Sequence, residues 1–251
     1  PIATPERTRA ADGEMPGEVA HYRVRARDKA GNTSQPANRV KVRRVDPGPT
    51  RVAGRITEDT TWLAAASPYV LSEDVTVPQG VRLAVQPGTR IRAAPDARLK
   101  VVGELEAAGE ADARIRFARR DADSAWRGIR AVSSASGRVR LAHVTVRGAT
   151  TGLALRGASA GIRDSVFMHN ETGVRVRDNA FPEITNSTLR NNDTGLAVRA
   201  ADPRIEGNSF RLNREADIEV RAGAPVIRGN DFAKGAPTNV RVRAGVSGAI
   251  V

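Results

Sequence analysis

Residues 190–200 read RNNDTGLAVRA, and the phrase Thr194-Gly195-Leu196-Ala197-Val198-Arg199 inside them decides the fold. Leu196 and Val198 alternate with Ala197 and Arg199, the period of a strand with one buried face. Moving outward, the phrase returns as Gly152-Leu-Ala-Leu-Arg156 and Gly173-Val-Arg-Val-Arg177 on one side. On the other side it returns as Asp217-Ile-Glu-Val-Arg221 and Asn239-Val-Arg-Val-Arg243. The anchoring positions are spaced 21, 22, 22 and 22 residues apart. A second strand, an apolar run, is expected to keep step at 162–167, 184–189, 205–210 and 227–232, and Pro182, Pro203 and Pro225 stand two residues before it. Leu141, Val146 and Gly152 fit an earlier coil less closely, and Trp126-Arg-Gly-Ile129 begins the coil before that.

A period near 22 with two or three short strands in it is the signature of a solenoid, because one turn cannot bury its apolar positions alone. The inward positions are expected to be Leu153, Val174, Leu196, Ile218 and Val240 in one column, and Leu155, Val176, Val198, Val220 and Val242 in the next. Stacked strands set such side chains about 4.8 Å apart. The segment before these coils, from Val52, alternates in short runs such as Val75/Val77, Val81/Leu83/Val85 and Leu99/Val101, separated by Pro-Gly and Gly turns. The expected class is all-β throughout.

These features together resemble the right-handed parallel β-helix family, the pectate-lyase-like superfold. The resemblance is carried by DTTW…SPYVL…DVTVP and PGTRI, then WRGI, then coils of the form Ile-x-x-Ser-x-Phe-x-x-Asn-x-x-Gly, and it covers about 200 residues. It is nearest to a non-catalytic bacterial extracellular group. It implies export and a structural or adhesive role, but the superfold also includes polysaccharide lyases and hydrolases, so fold does not fix function.

The first region, 1–48, contains HYRVRARDKAGNTSQPANRVKV. Tyr22, Val24 and Ala26 alternate with arginines, DKAGN reads as a turn, and Val40 and Val42 begin a second strand. This resembles the C-terminal half of a fibronectin type III domain, a partial β-sandwich. About 45 residues cannot close seven strands, so the half module implies completion by further chain or by the next region. Residues 49–54 are expected to be a linker, and 55–251 the β-helix.

Composition sets limits on chemistry. There is no cysteine, which excludes disulfides, thiol catalysis and zinc-thiolate sites. Aromatic residues make up only 4% of the chain, so an aliphatic core is expected. No apolar run is long enough to span a membrane. The chain begins at Pro1, which suggests processing or a longer parent chain. The net charge is +12, and 36 of the 40 basic residues are arginine. Residues 152–251 hold fourteen basic and eleven acidic residues, so +9 of the net charge precedes Gly152. Such a balance suits an acidic polysaccharide or acidic protein surface. Nucleic acid is not expected, because no recognisable binding motif or basic run with interleaved aromatics is present.

Two ladders stand out. Asn170, Asn192 and Asn213 share a repeat position and are expected to stack inside a bend, satisfying turn backbone, with the following glycine marking a corner, as at Gly173 and Gly195. Arg156, Arg177, Arg199, Arg221 and Arg243 share another position and are expected to point outward, compensated by Asp178, Asp202 and Glu219. They form a candidate stripe for an anion or a partner.

Catalytic signals are thin. None of His21, His143 and His169 lies in the Gly-His-Gly motif of polygalacturonase-like members, and Arg-Ile-Lys is absent. Asp164, Glu183 and Glu206 come nearest to a calcium set but differ in repeat offset. His143 and Asp164 share an offset and read as a structural pair. No cofactor or metal is expected. The reading is a non-enzymatic structural or adhesive extracellular subunit that assembles with other protein chains, in part through its apolar C-terminal end VRVRAGVSGAIV. The alternative is a carbohydrate-active protein, lyase-like or hydrolase-like, that binds or cleaves an acidic polysaccharide.

Overall fold

The computed structural model describes residues 19–43, 45–132, 138–233, 239–243 and 247. The chain divides into two units, Pro1–Asp46 and Pro47–Val251.

In the first unit Val19–Tyr22 pairs antiparallel with Val40–Arg43, with Tyr22 opposite Val40. The Asp28 carboxylate closes the intervening turn by accepting from the backbone N–H of Asn32 at 2.8 Å and from its side-chain amide at 2.9 Å. The bond from the Asn32 side chain, then that from its backbone, holds the Asp28 carboxyl below the usual aspartate range. The strand stops at Tyr22, short of the expected alternation through Ala26, and Val24 is 72% exposed. The described residues of this unit form one two-stranded sheet, and alternation alone does not extend the strand.

The second unit is an all-β right-handed parallel β-helix with about 22 residues per turn. Each complete coil carries three strands. In one coil these are Glu183–Thr185 on a first face, Thr188–Arg190 on a second and Thr194–Arg199 on a third. Every strand pairs in parallel with its equivalent one coil away: Ile184 faces Ile205, Leu189 faces Phe210, and Leu196 faces Ile218. The first face is an eight-stranded sheet. The second and third faces are joined at Tyr69–Val77, whose first half pairs with Arg90–Ala93 and second half with Arg98–Val101.

Residues 49–54 are not a linker. Thr50–Arg55 is already a rung, paired in parallel with Tyr69–Val77. Beyond Pro49 the chain regains backbone donors, and Thr50 N–H donates to Pro68 O at 2.9 Å while its hydroxyl donates to Ala66 O at 2.9 Å.

The apolar runs 162–167, 184–189 and 205–210 each split into two strands. The split falls at a left-handed residue, and these residues stack: His143, Asp164, Asn186, Gly207 and Gly229 have φ of 49°, 52°, 49°, 63° and 59°. Histidine, aspartate and asparagine tolerate that conformation better than branched residues do, so a polar letter in an apolar run marks the bend.

The columns expected to face inward are buried as far as Ile218 and Val220, whereas Val240 is only half-buried and Val242 is exposed. Leu153, Val174, Leu196 and Ile218 are fully buried, as are Leu155, Val176 and Val220. Aromatic side chains are not excluded from the interior: Phe117, Phe167 and Phe210 are fully buried on the second face, and the Phe210 and Phe232 rings stack at 5.2 Å. The wall thins at the last described rung, where Val242 is 48% exposed. Most of the apolar C-terminal end lies outside the described residues.

Two buried polar columns tie the coils together. In the first, the Asn192 carbonyl oxygen accepts from the Asn170 backbone N–H at 3.0 Å and from its side-chain amide at 3.1 Å. Asn213 accepts the same pair of bonds from Asn192, at 3.1 and 3.0 Å. Each side-chain amide also reaches back to a strand carbonyl: Asn170 to Val146, Asn192 to Phe167 and Asn213 to Leu189. The second column, at the bend between the first and second faces, is Ser165, Ser187, Asn208 and Asn230. Ser165 N–H donates to the Ser187 hydroxyl at 3.1 Å, and Ser187 N–H and Asn208 N–H donate to Asn208 Oδ1 and Asn230 Oδ1, both at 2.9 Å.

The anchoring glycines are not corners. Gly152, Gly173 and Gly195 have ordinary φ and lie within strands. A Cβ at these positions would come within 2.6, 2.5 and 2.5 Å of the carbonyl oxygens of Gly173, Gly195 and Asp217 in the next coil. Glycine is required there because the asparagine column draws adjacent backbones together, not because the chain turns.

Replacing Asn192 by alanine leaves a buried N–H and a buried carbonyl without partners, each costing about 1–3 kcal/mol. The expected loss is about 3 kcal/mol, read as a lower denaturant midpoint with an unchanged m-value. Gly195→Ala is expected to destabilise by a comparable amount, while Gly161→Ala, where the Cβ meets nothing within 4 Å, changes the midpoint little.

Candidate functional site

The five arginines of the expected stripe do share one edge of the third face. Arg156 is in register with Arg177, Arg177 with Arg199, and Arg199 with Arg221, and Arg243 N–H donates to Val220 O at 3.0 Å one coil on. Buried Leu155, Val176, Val198 and Val220 precede the first four of them, so the pleat turns these outward.

Compensation is uneven. Arg156 Nε lies 2.7 Å from Asp178 Oδ2. Arg221 Nη2 lies 2.9 Å and Arg243 Nε 3.4 Å from the same Glu219 oxygen. Desolvation pushes the Glu219 carboxyl up, but the Arg221 and Arg243 contacts outweigh it and hold the group below the usual glutamate range. Asp202 does not serve the stripe: its Oδ1 accepts the Ala224 N–H at 2.7 Å. Arg177 and Arg199, in the middle of the stripe, pair with no carboxylate among the described residues. The half-buried Arg175 beside them donates to the Thr172 hydroxyl at 2.8 Å. Desolvation, with Arg177 as a like charge, lowers its pKa.

Asp217 takes the position that glycine holds in the three preceding coils. It is 1% exposed, and its Oδ1 accepts from Asn213 Nδ2 at 2.7 Å. Twenty-two residues after Asn213 the sequence has Gly235, so no asparagine continues the column. The Asp217 carboxylate stands where the next side-chain oxygen would be. Its other oxygen is buried without a partner among the described residues. Desolvation raises the Asp217 pKa, and the Asn213 bond offsets this only in part.

The remaining titratable residues build no catalytic cluster. His143 Nε2 is 3.9 Å from Asp164 Oδ2, and the two sit on consecutive left-handed bends of one corner column. Asp164 also receives Arg163 Nη1 at 3.0 Å. Glu183 is in register with Arg204 and Glu206 with Thr185, so Asp164, Glu183 and Glu206 occupy different columns. Glu206 is held by Arg228 at 2.6 Å and Arg204 at 2.8 Å. No group of three or more histidine and acidic side chains could hold a metal ion among the described residues.

Two grooves complete the outer surface. One, of about 520 Å³ on the first face, is bordered by Arg138, Arg140, Arg163, Glu183 and Phe181, whose ring is 62% exposed. The other, of about 330 Å³ on the second face, is lined by Arg90, Arg92, Arg116, Arg119, Arg120 and Arg147. Asp121 is its sole carboxylate, and it is paired to Arg120 at 2.9 Å. Sequence reading located the surplus charge before Gly152 but not this convergence. The signal was present in RIRAAP (90–95) and RIRFARRD (114–121), which lie one coil apart.

A three-faced parallel coil with amide columns at two of its corners and arginine rows outside defines a non-globular β-solenoid. Residues 127–248 match the family model described as "Right handed beta helix region". A 62-residue stretch is 39% identical to the protein named "Protein bark beetle" of Drosophila melanogaster, which covers 25% of this chain and 2% of that protein. No solved structure matches the chain. Among the described residues no helix is long and apolar enough to cross a membrane.

The Asp217 environment has a measurable consequence. A carboxyl whose folded pKa is raised binds more protons folded than unfolded, so stability falls as pH rises from the unfolded value through the folded one. Asp217→Asn keeps the bond from Asn213 and removes the buried charge. It is expected to raise the melting temperature at pH 7 by several degrees. It should also flatten the decline between about pH 4 and neutrality, read by thermal melts across that range.

Proposed function

We propose that this protein is an exported, non-enzymatic structural β-helix, a rigid subunit of a larger surface or fibre assembly that docks an acidic partner along its third face. The observation that carries this reading is the pair Arg177 and Arg199. They lie adjacent in register at the centre of a straight arginine edge, and neither meets a carboxylate among the described residues. Two unit charges about 5 Å apart repel by only about 0.8 kcal/mol in water, so the edge tolerates them, and a multivalent acidic surface relieves that repulsion. The stacked core and two amide columns supply the stiffness such a subunit needs. The N-terminal hairpin fits the same role as part of a fibronectin III-like module, and the last described rung, with Val242 exposed, offers apolar surface to another chain.

A second reading rests on a separate observation. The exposed Phe181 ring beside Arg138, Arg140 and Glu183 forms a groove suited to stacking on a sugar of an acidic polysaccharide. Release of unsaturated or reducing ends from uronate polymers, with or without calcium, would favour this reading over the structural one.

Docking along the third face predicts a specific loss. The variant Arg177→Ser/Arg199→Ser/Arg221→Ser is expected to bind polyglutamate at least about tenfold more weakly than the parent protein at low salt, the gap closing as salt screens the edge. Unchanged affinity for both polyglutamate and polygalacturonate would remove the stripe from the function.

A further inference from the structure

The groove on the second face is built differently from the rest of the surface. Its floor is strand residue Ala118, which sits in register between Arg92 one coil before and Arg147 one coil after. Two long cationic side chains thus flank a small one, two rungs apart, or about 9.6 Å. Arg116 is in register with Arg90 on the neighbouring row and closes that side. The opposite side is formed by the connection from the second to the third face. Elsewhere this connection is short, as at 148–150, 169–171 and 191–193, but between Ile115–Arg119 and Gly128–Val132 it runs through residues 120–127.

That longer connection is anchored. Trp126 is fully buried, and its indole Nε1–H donates to Arg147 O at 3.0 Å. Its backbone N–H donates to Gly148 O at 3.3 Å, while Trp126 O accepts from Thr150 N–H at 2.8 Å. Arg120 N–H donates to Ala93 O at 2.7 Å, tying the start of the connection to the coil before. Gly148, at φ of 69°, lets the Arg119 stem lie across it: a Cβ there would be 2.7 Å from Arg119 Cδ. Arg119 and Arg147 are therefore positioned by packing and by an anchored backbone.

The electrostatics are equally particular. Arg90, Arg92, Arg116, Arg119 and Arg147 form no ion pair with a carboxylate among the described residues, while Asp121 is occupied by Arg120. Elsewhere on the solenoid arginines recruit carboxylates at Glu106, Asp178, Glu206 and Glu219. Five unpaired guanidinium groups around about 330 Å³ call for several negative charges in a small volume. A carboxylate polymer spreads one charge over each sugar, whereas linked phosphates place charges on successive small groups. Each phosphate also presents several oxygens to planar guanidinium forks approaching from different sides.

We infer that this groove is a binding site for a short chain of linked phosphate groups, with Arg92 and Arg147 gripping it across Ala118 and Arg90, Arg116 and Arg119 completing the cage. The site is separate from the third-face stripe and does not depend on the function proposed for it.

Calorimetric titration of the whole chain with inorganic tripolyphosphate, at about 0.1 M salt so that diffuse attraction is screened, tests the assignment. Saturable binding is expected, tighter than that of orthophosphate by at least about tenfold. Arg92→Ser/Arg147→Ser is expected to weaken it at least about tenfold, while the charge-matched pair Arg23→Ser/Arg39→Ser, on the other unit, leaves it within about twofold. Ala118→Leu fills the floor without changing charge and is expected to weaken binding in the same way, which keeps the test decisive should the double variant fold poorly. Equal losses from the groove pair and the control pair would reduce the effect to net charge and overturn the site. So would full affinity in Ala118→Leu, or orthophosphate binding as tightly as tripolyphosphate. Tighter binding of a persulfated disaccharide or of polygalacturonate would overturn the phosphate assignment.

Discussion

A parallel coil has one recurrent difficulty: at each corner the backbone leaves the sheet and its N–H and C=O groups lose their ladder partners. The column Asn170, Asn192, Asn213 resolves it at one corner. Each side-chain oxygen takes the N–H of the coil before, and each side-chain amide returns to a strand carbonyl at Val146, Phe167 or Leu189. In a water-free interior an unmade bond costs more than a made one contributes, so the column is a condition for stacking rather than an addition to it. The glycines at 152, 173 and 195 follow from it, since the close approach of successive coils leaves no room for a Cβ.

The end of that column is as informative as its length. Where asparagine is lost after position 213, the glycine requirement lapses and Asp217 enters, offering a carboxylate oxygen to the last amide. The exchange keeps the bond but introduces a buried charge whose second oxygen has no partner among the described residues. The second column makes the same transition in another form, beginning with serine at 165 and 187 and continuing with asparagine at 208 and 230. A hydroxyl and an amide differ in reach but both place an acceptor above the next N–H, which is why the fold accepts either.

With the interior so constrained, variety is left to the outside. The outward residues carry arginine on all three faces, and what distinguishes one arginine from another is its neighbour one coil away. Glu219 neutralises Arg221 and Arg243, while Arg177 and Arg199 have only arginines in register above and below them and meet no carboxylate among the described residues. On the second face Ala118 opens a gap between Arg92 and Arg147, and a lengthened corner pinned by Trp126 turns that gap into a groove. Electrostatic character here is set by the vertical order of side chains in a column.

The sequence by itself determined the repeat, the inward columns from Leu153 to Val220, the outward arginine row and the positions of the asparagine column, because all of these obey a fixed period and periodicity is a property of the chain. It did not determine that Ile162 and Phe167 belong to different strands, since the left-handed bend at Asp164 is a backbone state that several polar residues can adopt. It also misplaced the start of the solenoid, because Pro47 and Pro49 mask the strand that opens at Thr50. Ser165 and Asn208 hid their common role by differing in residue type. The groove at Ala118 was beyond it altogether: six arginines from three strands and a loop converge only after the coils are set in register, and register is decided by which backbones stack, not by any one stretch of residues.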